Sequence, residues 1–136
     1  EEVENQFQNF AAGLPTGSLR EDSKIMAMTV FNRAVGDEFF PEISQLTAQA
    51  LAKDTKLRAL YYQRNSRTIE RLRQAVQARE GWKSSDPRLT PTVNIIHTQF
   101  LTAFEIFVET RGGTSLSEAF RNAGAIFEDY FNDELA

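Results

Sequence analysis

Apolar residues recur along this chain at spacings of three and four, the period of an α-helix that buries one face. Strand-like alternation never runs beyond a few residues, and no segment repeats. The pattern divides into about six helices. Glu1 to Ala12 carries Val3, Phe7 and Phe10 on one side and stops at Gly13 and Pro15. Ser18-Leu19-Arg20-Glu21 is a capping box, the residue set that satisfies the first free amides of a helix. It opens a helix through Ile25, Met26, Met28, Val30 and Phe31 that runs to about Val35, where Gly36-Asp37 breaks it. A third helix starts near Phe39, has Pro41 in its tolerant first turn, and continues through Ile43, Leu46 and Leu51. Asp54 or Thr55 caps the longest helix, roughly Lys56 to Arg79, with a stripe of Leu57, Leu60, Tyr61, Thr68, Ile69, Leu72 and Val76. A polar loop around Trp82 follows, and Pro87 and Pro91 mark the start of the next helix.

The last third of the chain carries the most information. From Leu89 to Phe104 there is no charged residue. Val93, Ile96, Phe100, Ala103, Phe104 and Phe107 form one stripe, and Ile95, Leu101, Ile106 and Val108 form a second on another face. A helix that is apolar on more than one face must be covered on more than one side. Gly112-Gly113 ends it, and the capping box Ser115-Leu116-Ser117-Glu118 starts a final helix bearing Leu116, Ala119, Phe120, Ala123, Phe127, Tyr130 and Phe131. A chain of 136 residues has limited interior to offer both helices, so a second subunit is expected to cover part of them. The expected interface is isologous, built on Phe107, Leu116, Phe120, Ala123, Phe127 and Tyr130, with Ala123 and Gly124 allowing close approach beside the aromatic anchors.

Composition narrows the class. Apolar content of 41% and charged content of 25% are those of a soluble globular chain, and the length suits one domain with a real core. A net charge of −4 argues against a polyanion-binding surface overall. The lack of cysteine excludes a disulfide scaffold and thiolate metal sites. No signal peptide is visible, and the apolar run Val93 to Val108 is too short for a membrane span and contains Asn94, His97, Gln99 and Glu105. A cytoplasmic protein with no membrane association is expected.

Candidate chemistry is sparse. No Gly-rich loop, nucleophile elbow or His-Asp-Ser order is present, and the carboxylate clusters sit at the two ends of the chain. The sequence therefore predicts no catalytic residue, no cofactor and no metal site. The lone His97 has no Cys, and no His or Glu at i±4, to complete a metal site. Met and His ligation of a haem lacks an attachment motif. The long helix and Lys53 just before it hold eight of the fifteen basic residues, the others being Lys56, Arg58, Arg64, Arg67, Arg71, Arg73 and Arg79. They read as a solvated face whose stems cover apolar neighbours, in preference to a phosphate-binding face. No aromatic residues alternate with them as a nucleic-acid groove requires.

Asn65 and His97 differ from the other polar residues because they lie beside apolar stripes, where an amide or imidazole must find a partner. Tyr61 and Asn65 are four apart and share a helix face, as do His97, Phe100 and Phe104, and as do Met28 and Phe31 three apart. Short connections make these helices neighbours. One cavity lined by Met28, Phe31, Tyr61, Asn65, His97, Phe100 and Phe104 is expected, with Asn65 and His97 as polar anchors for a small apolar or amphipathic ligand.

The order of these pieces resembles a known family. Asp54-Thr55-Lys56-Leu57-Arg58-Ala59-Leu60, then Arg64, then Ile69 through Ala78-Arg79-Glu80-Gly81, is similar to the long helix of TetR-type regulators, which opens acid-x-x-Leu-Arg-Ala and closes Ala-x-Arg-x-Gly. Ser85-Asp86-Pro87-Arg88-Leu89 resembles the acidic-proline approach to their penultimate helix, and Gly112-Gly113-Thr114-Ser115-Leu116 the break before their last. The likeness spans approximately residues 18–131. Ile106-Phe107 stands where a tryptophan is common in the subgroup with that Asp-Pro approach. The resemblance implies the C-terminal effector-binding and dimerisation domain of a one-component repressor. It implies an all-α orthogonal bundle over 14–136, residues 1–13 as the tail of a connector helix, and the last two helices of two subunits joined as a four-helix bundle. The effector would sit in an apolar cavity in each subunit, walled by the helix after Ser18, the long helix and the penultimate helix. The helix-turn-helix is absent from this chain, which opens on Glu1 without Met, so DNA would be read only by a domain outside it. The alternative is a helical dimerisation or interaction module with a filled core and no ligand.

Overall fold

A computed structural model describes residues 2–135, without the side chains of Asn65 and of residues 130–135. Among the described residues the chain forms six helices and no strand: α1 (Glu2–Ala11), α2 (Leu19–Val35), α3 (Pro41–Lys53), α4 (Thr55–Glu80), α5 (Leu89–Glu109) and α6 (Leu116–Leu135). The all-α bundle expected from the sequence is what forms. Its helix ends follow from local chemistry. Ser18 Oγ accepts from the Glu21 amide at 3.3 Å, although the Glu21 carboxylate turns to Lys24 instead of reaching back. Asp54 accepts from the amides of Lys56 and Leu57 at 3.0 and 3.1 Å, which decides the cap of α4 in its favour. Pro91 lies in the first turn of α5, where its missing N–H leaves no helical bond unmade.

α5 runs through the middle, packed on α3, α4 and α6, while α1 lies across α2 and α4. Phe31 of α2, Phe100 of α5 and Phe120 of α6 meet as a three-ring cluster with centroids 5.1–5.8 Å apart. The first apolar face of α5 is thereby covered within one chain, whereas on the second Val108 is buried, Leu101 and Ile106 are partly buried and Ile95 is exposed. Phe107, Leu116, Phe120 and Ala123, expected at a subunit interface, are at most 2% exposed here, so they are core residues with no surface to give a partner. Phe127 is half-buried, and the side chain of Tyr130 lies outside what the structure describes.

α3 departs from its expected face. Its buried residues are Ser44, Ala48 and Leu51, whereas Ile43 and Leu46 are 56% and 65% exposed. The cause is close approach. The α5–α6 turn presses Gly112, with φ +80°, onto α3, where a Cβ would stand 2.8 Å from the Gln45 Cα. Only small side chains fit beneath such a contact. Ile43 and Leu46 therefore turn outward and join Phe39 and Phe40 as an exposed apolar group, and Leu60 of α4 is likewise exposed.

Two buried carboxylates lock the bundle. Asp22 accepts from Thr16 N at 2.9 Å, Thr16 Oγ1 at 2.7 Å, Gly17 N at 3.1 Å and Arg79 Nη2 at 2.9 Å. Arg79 Nη1 donates to the Phe10 carbonyl at 2.8 Å, and its guanidinium lies 4.9 Å from the centre of the Phe10 ring. Asp37, in the α2–α3 turn, accepts from Leu116 N at 2.8 Å, from Ser117 N at 3.3 Å and from Ser117 Oγ. Ser115 Oγ takes the next amide, that of Glu118, at 3.1 Å, so the free amides opening α6 are all satisfied.

The arginines of α4 have structural work in several cases. Arg58 donates to the carbonyls of Leu51 and Ala52 at the end of α3, Arg71 pairs with Glu4, Arg73 reaches Thr90, and Arg79 holds Asp22. Arg71 and Arg79 also lie over the Phe7 and Phe10 rings, but Arg79 is buried and not part of the solvated face expected from the sequence.

Burial pushes the Asp22 carboxyl upward, but the hydrogen bonds from Thr16 and the guanidinium of Arg79 outweigh it and hold the group at about 2. An unfolded aspartate titrates near 3.9, so the stabilisation is complete above that value and is lost as pH falls towards about 2. Asp22→Asn is expected to lower the thermal midpoint at pH 6 and to differ much less from wild type at pH 2. Circular-dichroism melts across that range check this, and a gap that stays constant with pH would contradict it.

Candidate functional site

A small cavity lies where α1, α2, α4 and α5 converge. Phe7 of α1, Met26 of α2, Thr68, Ile69 and Leu72 of α4, and His97 and Phe100 of α5 line it. The lining follows from helical spacing. Thr68, Ile69 and Leu72 occupy one face of α4, and His97 and Phe100 one face of α5. The space is small, about 10 Å³ for the centre of a water-sized sphere, which is room for one water.

Its chemistry is that of an apolar wall with one polar atom. His97 Nε2 is buried and has no hydrogen-bond partner among the described residues. The Thr68 hydroxyl is engaged with the Arg64 carbonyl at 3.3 Å. Burial lowers the His97 pKa below its ordinary value, so the ring is neutral at pH 7. A neutral imidazole facing an apolar space offers one hydrogen bond to a guest. No other residue lining the cavity is titratable. Among the described residues, no group of three or more His, Cys, Asp or Glu is placed to hold a metal ion.

Of the seven residues expected around one cavity, His97 and Phe100 line this one. Phe31 stands behind Phe100 in the three-ring cluster. Tyr61 and Phe104 stack 6.1 Å apart further along α4 and α5, with Tyr62 edge-on to Phe104 at 5.3 Å. Met28 is 36% exposed and lines surface grooves on the outer side of α2. The Asn65 side chain lies outside the described residues. Met28 and Phe31 share a spacing of three, but the buried stripe runs Ala27, Phe31, Val35, which leaves Met28 at its edge and turns Met26 inward. The spacing of Phe7 and Phe10 marked the buried face of α1, but not that Phe7 would reach the imidazole.

A larger groove lies on the other side of the α2–α5 contact, between α2, α5 and α6, with a volume of about 470 Å³. Sequence spacing gave no sign of it. Gly124 is its signal in hindsight: a Cβ there would stand 2.5 Å from Gln99 Nε2, which instead donates to the Phe120 carbonyl at 2.7 Å. Asn94 and Thr98 of α5 and Asn122, Ala125 and Ile126 of α6 are exposed and uncharged. No helix among the described residues is long and apolar enough to cross a membrane. No known protein family, no curated protein and no solved structure matches the chain.

His97 is the only histidine, so its titration is directly readable. Its lowered pKa means that the unfolded chain takes up a proton first as pH falls below about 6.5. Stability should be full above that value and decline as pH falls towards the folded-state pKa. A proton-NMR titration should place the imidazole below 6.5, and His97→Leu should flatten the stability profile between pH 7 and pH 5. A ring that titrates at 6.5 or above in the folded protein would show that it is solvated, with no orphaned nitrogen.

Proposed function

We propose that this chain is the effector-sensing and dimerisation domain of a TetR-type one-component regulator, a cytoplasmic repressor whose DNA-reading domain lies outside it. The observation that carries the proposal is the unpartnered His97 Nε2 in an apolar cavity whose fourth wall is Phe7 of α1. The sequence resemblance assigns α1 to the connector, so a guest in this cavity touches the helix that would lead to the reading head. A small apolar or amphipathic molecule fits the lining, with one polar group bonded to the imidazole.

The mounting of α1 supports a coupling route. Its C-terminal end is clamped by buried Arg79 at the Phe10 carbonyl. Its N-terminal end is held from α4 by the Glu4–Arg71 pair, whose Glu4 side chain is about half exposed. A guest larger than a water needs a lining side chain to move, and displacement of Phe7 is the move that would turn α1 about its Phe10 end. The effector regulates only if it binds the two positions of α1 with different affinity.

The homodimer is proposed on the outer α5–α6 face. An exposed, uncharged set of Asn94, Thr98, Asn122, Ala125 and Ile126, with the charged Glu105 and Asp129 on the same helices, supports that placement. The second reading, an interaction module with a filled core and no ligand, is favoured by one observation: the Phe31, Phe100 and Phe120 rings fill the space at the centre of the bundle. Neither reading includes catalysis or a cofactor.

Sedimentation at micromolar concentration should give a dimer, and Ile126→Glu, at an exposed position, should give a folded monomer. A wild-type monomer removes the interface. Against a panel of small amphipathic compounds, wild type should gain thermal stability from at least one, and His97→Ala should lose most of that gain. A panel without a single stabilising compound would leave the interaction module ahead.

A further inference from the structure

We infer that the groove between α2, α5 and α6 is a binding site for an amphipathic monocarboxylate, separate from the His97 cavity. Its volume of about 470 Å³ falls in the range of small-molecule sites. Leu19, Ile95, Ile96 and Phe127 supply its apolar surface, and Ile95 is 53% exposed with no side chain over it that the fold requires. Arg20 and Lys24 stand one turn apart on the α2 wall, so both cations lie on one side of the groove, where Lys24 also pairs with Glu21 of its own helix. Glu128 on the α6 wall is the one anion lining the groove, and it pairs with Arg20 across the mouth. The lining itself holds two cations and one anion, with Glu21 outside it beside Lys24, so the cations border an apolar trough along its α2 side. That is the complement of a carboxylate head on a hydrocarbon tail.

The Arg20–Glu128 pair marks the position of the head. Both side chains are well exposed, at 52% and 44%, and an exposed pair contributes little, so a ligand carboxylate can take the place of Glu128 at low cost. The guanidinium is suited to the exchange because its planar fork accepts any carboxylate in the same two-pronged way. Gly124 lets Gln99 lie flat against α6, where its amide is tied to the Phe120 carbonyl, so the trough stays open along its length. The site stands whether or not the domain senses a ligand at His97, because its groups come from the opposite side of the α2–α5 contact.

Titration calorimetry with decanoate, and with decylammonium as the cationic chain of equal length, tests the assignment below the micellar range. Decanoate should bind and decylammonium should not. Arg20→Gln should weaken decanoate by about tenfold, the loss expected for a charge-assisted pair. Glu128→Gln, which removes the competing carboxylate, should tighten it by about threefold. Both positions are exposed, so the variants keep the fold. Absence of decanoate binding, equal binding of the two chains, or an affinity unchanged by Arg20→Gln would overturn the site. Binding that survives Arg20→Gln and is lost in His97→Ala would move the ligand to the cavity, which refutes the groove and leaves the sensing reading standing.

Discussion

The buried Asp22–Arg79 pair is the constraint on which the arrangement of helices depends. Removing two charges from water is expensive, and the attraction between them repays it only when the remaining donors and acceptors are also satisfied. Here they are: Thr16 and Gly17 complete the carboxylate, and the Phe10 carbonyl and ring complete the guanidinium. The pair joins the end of α1, the start of α2 and the end of α4. The cavity walls then follow by helical spacing. Met26 lies four residues after Asp22, Phe7 three before Phe10 and Leu72 seven before Arg79, so each projects on the same side as its anchor. The junction that fixes the helices also fixes the space beside His97.

Much of the fold was legible in the sequence because its signals are local. Capping residues, prolines in first turns and glycine breaks placed the helices to within about two residues, since each acts on amides within one turn of itself. The faces were less legible. α3 was read from its large apolar residues, yet it buries Ser44 and Ala48 because Gly112 presses on it from a distant turn. A second subunit was expected to cover part of α5 and α6, but α3, α4 and α6 bury the main apolar face of α5 and leave Ile95 of the second exposed. Both departures come from tertiary neighbours, which a helical period does not specify. The same holds for the site. His97 and Phe100 were visible as residues beside a stripe, whereas Met26 and Phe7 depended on how α2 and α1 are rotated.

Arginine contributes more to this fold than its surface count suggests. Arg58 closes the end of α3, Arg79 closes the end of α1, and Arg71 and Arg73 tie α4 to its neighbours. A long helix whose mean composition is polar is held in place by these directed donors as well as by Leu72, Ala75 and Val76. Its charge therefore says more about architecture than about a polyanionic partner.

The cap supplied by Asp37 has a consequence for how the domain is divided. The first amides of α6 are satisfied by a carboxylate 79 positions earlier in the chain, together with its own Ser115. The α5–α6 hairpin is consequently not a portable module. Transplanted to another scaffold, or expressed without the α2–α3 turn, it would keep its apolar seam but lose the acceptor for the opening amides of its last helix. No unit that contains α6 can omit that turn, and any recombination that separates the two breaks a helix it never cut.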